Sequence, residues 1–413
     1  MTVSTAPGSG TTSSYRWVVL AVGAVGAGAF AALRMGLPAL SPALRDEYAL
    51  SLGEVGVALS AVAVGVMLTL LPWGFLTDRI GERPVLGIGL TGTAIALAAT
   101  AFAPSFPALA AGLFAAGMLG ASATGASGRA VMGWFGRGER GLALGIRQMA
   151  LPLGGALSSL TLPWLAGVGG VRAALLWLAG LSLTAAVAAV VWMRDAPPPP
   201  PGAPAPAGPV PTRDRRAWRL GAASGLLVVG QSALLGFVVL FLVDERGMDY
   251  GLAAGGLAVL QLGGALARLA AGRRSDVEGL RIPLLRRIAL ADAVLIAGVA
   301  ALVSGPGLLL YPVLALAGVT AMCWNGLAFT VAAEIAGRRR AGTAVSLQNT
   351  IVSVGGAIAP AAFGALVAAT SWTAGFALCA AAPVLAFAVL GPLAGEETAR
   401  VLARERRLAR AVA

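Results

Sequence analysis

Apolar residues in this chain run on without interruption. They show neither the alternation of a half-buried strand nor the one-sided stripe of a surface helix. A helix crossing a bilayer core needs about 20 consecutive apolar residues. Twelve such runs are read at 16–39, 53–75, 85–104, 107–130, 141–166, 172–193, 218–242, 251–271, 287–304, 306–334, 342–369 and 372–394. Connections are short and rich in Gly or Pro, as in Ser304-Gly305-Pro306-Gly307. The first run follows a Ser/Thr-rich start without a basic cluster and is too long for the apolar centre of a secretory signal, so it is read as a span. The pattern predicts an all-α membrane protein.

The longest interval between runs is 194–217, and its centre is almost entirely Pro, Ala and Gly. That composition favours extended polyproline and reads as a spacer. It divides the chain into a six-helix bundle over 1–193, a linker over 194–217 and a second bundle over 218–395. A basic tail follows at 396–413, either lying along anionic lipid or solvated.

Composition narrows the chemistry. Of the 413 residues, 58% are hydrophobic and 12% charged, against about 25% charged in soluble chains. His is absent, and all 30 basic residues are Arg. Histidine acid–base catalysis, histidine metal sites, a Walker A loop and Schiff-base chemistry are therefore excluded. Cys323 and Cys379 lie in apolar stretches without metal-ligand spacing and read as packing thiols. No metal, no cofactor and no enzymatic reaction is expected.

Sorting the arginines by loop gives the orientation. With both termini cytoplasmic, 23 fall inside and only Arg45, Arg172 and Arg246 outside. The net charge of +12 is thus a topology signal, and the spans that separate the clusters argue against nucleic-acid binding. The absence of Lys and the Ala, Gly and Arg bias point to a GC-rich bacterial genome and its plasma membrane, with a functional monomer expected.

The halves repeat each other. Gly74, Asp78, Gly81 and Arg83 after the second run correspond to Gly272, Asp276, Gly279 and Arg281 after the eighth. In the fifth and eleventh runs, Gly141, Arg147, Gln148, Gly154 and Gly155 correspond to Gly342, Gln348, Asn349, Gly355 and Gly356. Parallel repeats place a binding site between the halves near the midplane.

Gly74-Phe75-Leu76-Thr77-Asp78-Arg79-Ile80-Gly81-Glu82-Arg83 fits the pattern Gly-x-x-x-Asp-Arg-x-Gly-x-Arg. With twelve spans, two halves and a central linker, the chain resembles a major facilitator superfamily transporter. Pro152-Leu153-Gly154-Gly155 is a partial form of a drug/proton antiporter pattern, with a missing Gly and a shorter spacing.

The resemblance implies a secondary transporter working by alternating access, with spans 1, 4, 7 and 10 lining the cavity and 2, 5, 8 and 11 beside them. Gly74, Asp78, Arg79, Gly81, Arg83 and Arg129 are then gating candidates in the first half. Arg268, Gly272, Asp276 and Glu334 are their counterparts in the second. Asp78 stands at the negative end of its helix and is expected to clasp the positive start of span 11 when the cytoplasmic gate shuts.

Cavity candidates are Arg34, Thr124, Arg147, Gln148, Gln231, Gln261, Trp324, Asn325, Gln348 and Asn349. Arg34 either snorkels outward or faces the cavity, and Trp324 either packs or contacts ligand. Asp292 falls one turn into span 9, an outer helix by the family layout. A cavity with arginines and no acid suits a small anionic metabolite. The partner would be that solute, with a coupled proton or counter-anion, in a lipid bilayer. Proton-coupled efflux of drug-like or biosynthetic products is the alternative.

Overall fold

The computed structural model describes residues 14–135, 139–195, 211–336 and 341–412. The Pro-rich stretch 196–210, Arg137 and the arginines at 338–340 lie outside them, as does the side chain of Asp276. Among the described residues the chain forms α1 (Tyr15–Tyr48), α2 (Leu52–Ile80), α3 (Glu82–Thr100), α4 (Phe106–Trp134), α5 (Arg140–Trp192), α6 (Arg215–Asp244), α7 (Tyr250–Glu278), α8 (Arg281–Leu302), α9 (Gly307–Ala336), α10 (Ala341–Ala369) and α11 (Trp372–Val412), and no strand.

Ten of these helices are long and apolar enough to cross a membrane. Helix α5 has 53 residues, about 80 Å at 1.5 Å per residue and more than twice a bilayer core. It breaks at Gly169 and Gly170, where φ reaches 70° at the second glycine. One run therefore yields two rods, and the loop expected between 166 and 172 is a two-residue kink. Helix α8 carries Arg281, Arg286, Arg287 and Asp292 and falls short in apolarity. Each of the twelve expected runs lies on one of these rods.

Helix ends depart from the apolar boundaries at several places. α1 continues past 39 to Tyr48, α8 begins at Arg281 instead of 287, and α11 runs through the basic tail to Val412. Hydropathy marks where lipid ends, whereas a helix stops where its backbone finds other partners. Ser51 supplies such a stop and start. Its hydroxyl accepts from the Glu54 amide while the Glu54 carboxylate accepts from the Ser51 amide, 2.9 Å away. Asp214 and Asp249 cap α6 and α7 in the same manner.

Two hydrophobic cores form. One draws only on residues from Val19 to Met193, the other only on residues from Leu220 to Ala394. A further cluster joins them, setting Ala39, Leu50 and Val55 against Phe237, Phe363 and Trp372. The bundle thus has a linker face, where α5 ends and α6 begins, and a far face, where α1 ends and α2 begins.

The cross-half bonds among the described residues lie between the middle of the bundle, where Gln261 meets Met35 and Ser159, and the far face. Arg45 pairs with Asp244, the Tyr250 hydroxyl donates to the Ala39 carbonyl at 2.6 Å, and the Ala361 amide donates to Ser60 Oγ at 3.0 Å. Small residues let the backbones meet there: a Cβ on Gly364 would stand 2.3 Å from the Leu52 carbonyl oxygen. The far face is shut.

Candidate functional site

The sequence repeat builds one contact twice. On α5, a Cβ at Gly154 would come within 2.2 Å of the Gly28 carbonyl of α1. On α10, a Cβ at Gly355 would come within 2.7 Å of the Gly225 carbonyl of α6. The next glycine in each pair receives a polar side chain from the opposite half. Gly155 makes room for Gln261 of α7, and Gly356 faces Arg34 of α1, whose Nη2 lies 3.6 Å from the position a Cβ would take.

Arg34 lies near the middle of α1. Because the helix runs on to Tyr48, its Cα is about 21 Å from the far end. Its guanidinium is turned toward Gly356 of α10 in the opposite half. Arg147, 7% exposed, is folded onto α4. Its Nε donates to Ser127 Oγ at 2.8 Å and its Nη2 to the Thr124 carbonyl at 2.6 Å. Neither arginine has a carboxylate partner among the described residues.

The amides divide into two groups. Gln231 and Asn325, both half-buried, bond to each other at 3.1 Å between α6 and α9. Gln148 and Asn349 are half-buried at matching positions of α5 and α10. Gln261 and Gln348 are instead sealed in helix contacts. Gln261 donates to the Met35 carbonyl and Ser159 Oγ, and Gln348 donates to Ser224 Oγ at 2.9 Å. Trp324 is fully buried in the second core, with its indole nitrogen unbonded. Cys323 and Cys379 are free thiols and buried.

One residue that sequence reasoning set aside turns out to be central. Since α8 starts at Arg281 and ends at Leu302, Asp292 is at mid-helix instead of one turn in. It is 0% exposed and neither carboxylate oxygen has a hydrogen-bond partner. It faces Gly230 of α6, beside Ile296 and Pro383 of α11. The signal was available: an acid eleven residues after the first helical arginine belongs to the middle of a 22-residue helix.

At the linker face the motif residues work within their own halves. Asp78 Oδ1 pairs with Arg129 Nη1 at 2.9 Å, and Arg129 Nε lies 3.3 Å from Glu82. Arg79 is exposed. Gly81 has φ 90°, and the Asp195 carboxylate sits where its Cβ would be. Asp195 accepts from the Arg83 amide at 2.8 Å, while the Arg83 side chain donates to the Val190 carbonyl.

The second half repeats the carboxylate-to-amide contact with the same signs and exchanges the signs of the ion pair. Glu397 accepts from the Arg281 and Ile282 amides, and Arg281 Nε donates to Glu334 of α9 at 2.8 Å. Arg268 lies away from this network, holding the Met322 carbonyl through two bonds of 3.2 Å. Gly272 has open space around it. The Asp276 side chain lies outside the described residues.

Comparison with known proteins gives a consistent frame. The family model described as Major Facilitator Superfamily matches residues 20–360. The chain is 35% identical over 376 residues to the uncharacterised MFS-type transporter Rv2994 of Mycobacterium tuberculosis, covering 90% of this chain and 84% of that protein. It is 26% identical over 164 residues to the probable sulfoacetate transporter SauU of Cupriavidus necator, covering 40% and 38%. Among solved structures, a bacterial homologue of the human lysosomal transporter Spinster, in an inward-facing and occupied conformation, superposes with a TM-score of 0.74 at 17% identity, over 95% of this chain and 97% of that one.

Proposed function

This chain belongs to the Major Facilitator Superfamily, and from that premise we propose that it moves a small anionic metabolite across a bacterial plasma membrane by alternating access. The observation that carries the reading is the pair Arg34 and Arg147, held inside the bundle without a carboxylate partner among the described residues. A guanidinium at the centre of a membrane helix costs about 2.5–3.5 kcal/mol. An anion that completes the site offsets that cost, and the arginine fork suits a carboxylate or a similar oxyanion. The partial relative named for sulfoacetate, which bears a carboxylate and a sulfonate, supports the same chemistry.

In this reading the linker face and both termini are cytoplasmic, as the arginine distribution implies. The far face is closed by Arg45–Asp244, Gln261–Met35 and the Gly56 and Gly364 contacts, so cargo meets Arg34 and Arg147 from the cytoplasmic side. Rocking the two halves then shuts the linker face, where Asp78 leaves Arg129 for the start of α10. The protein acts as a monomer and uses no cofactor.

Uptake into proteoliposomes tests the proposal, using a panel of sulfonates, carboxylates, phosphate esters and neutral sugars. Anions should be the only class carried, and Arg34→Gln and Arg147→Gln should each cut that flux at least about tenfold. Undiminished flux in both variants, or carriage of neutral sugars alone, refutes the reading. A folded protein that moves none of the panel leaves the sensor or scaffold class in its place.

A second reading, proton-coupled efflux of a drug-like or biosynthetic product, is favoured by Asp292. A carboxyl buried without a partner is a natural place to load and release a proton. If a pH gradient alone drives a neutral product out, and Asp292→Asn abolishes that coupling, the second reading replaces the first.

A further inference from the structure

The fold makes the same surface cleft twice. Between α3 and α5 a cleft of about 620 Å³ is lined by Arg83, Pro84, Gly87, Ile88 and Ile95, with Val190 opposite. Between α8 and α11 a cleft of about 580 Å³ is lined by Pro283, Arg286, Arg287 and Leu290, with Phe387 and Gly391 opposite. Counted from the helix starts, Pro84 and Pro283 are each the third residue, three before Gly87 in α3 and Arg286 in α8. Neighbouring Ile88 is matched by Arg287. The first-half cleft holds one arginine, Arg83, whose side chain is engaged on the Val190 carbonyl, whereas the second holds two.

The pair is placed for a headgroup. Arg286 is five residues into α8 and directly precedes the apolar run that begins at 287, at the edge of the membrane-facing stretch. Its guanidinium carbon lies 3.9 Å above the Phe387 ring, and its Nε donates to the Phe387 carbonyl at 3.2 Å. Gly391 leaves room for the guanidinium to lie flat, with Nη2 3.7 Å from where a Cβ would stand.

Arg287 is open to the surroundings, with its side chain 65% exposed and Nη1 3.8 Å from Glu278 Oε2. Glu278 is engaged at 2.6 Å by Arg274, whose hydrogen bond and charge hold that carboxyl below the usual carboxylate range. Glu397 at the rim is occupied by the amides of Arg281 and Ile282. Two arginines, Arg274 and Arg287, thus share one carboxylate, while Arg286 has no carboxylate paired with it among the described residues. Below them the cleft is apolar, with Leu290 half exposed beside Phe387.

We propose that the α8–α11 cleft binds an anionic phospholipid, its phosphate on Arg286 and Arg287 and one acyl chain running past Leu290 and Phe387 toward the membrane interior. The site is separate from the cargo cavity and independent of the cargo's identity. A lipid there would brace the start of α8 and, through Arg281–Glu334, the linker face of the second half.

The test uses the purified full chain in detergent with phosphatidylglycerol or phosphatidylcholine of identical acyl chains. Native mass spectrometry counts retained lipid and thermal denaturation reads stabilisation. Phosphatidylglycerol should be retained selectively, and Arg286→Gln combined with Arg287→Gln should weaken it roughly thirtyfold. Gly391→Leu keeps both charges and fills the cleft, so it should also reduce retention, and it carries the test if the double variant does not fold. Ile88→Gln, in the matching cleft, should change nothing. Equal retention of the two lipids, or unaltered selectivity in the arginine and Gly391 variants, overturns the proposal. Glycerol 3-phosphate stabilising the chain as well as the lipid does would reassign the cleft to a soluble phosphate ester.

Discussion

Gln261 of α7 donates a hydrogen bond to the backbone carbonyl of Met35 in α1, 3.1 Å away, and so ties the two halves together deep in the bundle. A second bond from the same nitrogen reaches Ser159 Oγ at 3.0 Å. Gln261 Oε1 is buried without a partner, which takes back part of what the two bonds contribute. Gln261→Leu should therefore favour opening of the far face by roughly tenfold. A cysteine placed at Ala39, now fully buried, should label faster with an impermeant reagent in that variant. Equal labelling rates would show that Gln261 is no latch.

Gly56 tests the same closure through sterics. A Cβ there would stand 2.4 Å from the Pro360 carbonyl oxygen and 2.9 Å from Ala361 Cα. Both obstacles are backbone, so no side chain can turn aside. Gly56→Ala should hold α2 off α10 and cut transport at least about tenfold while the protein remains folded. Spin-label distances between α2 and α10 at the far face should lengthen; unchanged distances with normal flux would contradict the contact.

The Asp78–Arg129 pair is solvent-accessible, with side chains 70% and 43% exposed. Such pairs contribute under about 1 kcal/mol, so Asp78→Asn should leave the melting temperature nearly unchanged. If Asp78 serves the shut linker face, the same variant should raise cysteine labelling from that side. Gly74 offers an independent check, since nothing lies within 4 Å of a Cβ placed on it. Gly74→Ala should be silent in stability and slow in transport, because only closure crowds it. Full transport by Gly74→Ala would remove the gating role of that glycine.

Gly81 meets two demands at once. Its φ of 90° suits glycine, and the Asp195 carboxylate occupies the place of a Cβ, 2.5 Å away. Gly81→Ala should lower stability by about 1–3 kcal/mol. Adding Asp195→Ala should relieve the clash but not the backbone strain, so recovery should be partial. Complete recovery in thermal denaturation would place the whole cost on the contact.

Several site features were legible in the residue string for specific reasons. The Gly74–Arg83 motif and its echo at Gly272–Arg281 needed only spacing, and the glycine pairs at 154–155 and 355–356 needed only alignment of the halves. Arg83 and Gln261 were not legible in the same way. Arg83 was expected at the gate, yet its side chain ends on the Val190 carbonyl. Gln261 was expected in the cavity, yet it is 1% exposed in a helix contact. Asp292 was set aside because the apolar run hid six helical residues, 281–286, before it.

The amino-acid order by itself determined the all-helical membrane fold and the family, because crossing a bilayer imposes a length and an apolarity that a linear string displays. Tertiary structure alone decided which side each polar group faces. In a water-soluble helix that information is carried by the contrast between an apolar and a polar face. In lipid both the neighbouring helix and the solvent are apolar, so the contrast vanishes. The directions of Arg34, Gln261 and Asp292 were therefore fixed only when the helices met.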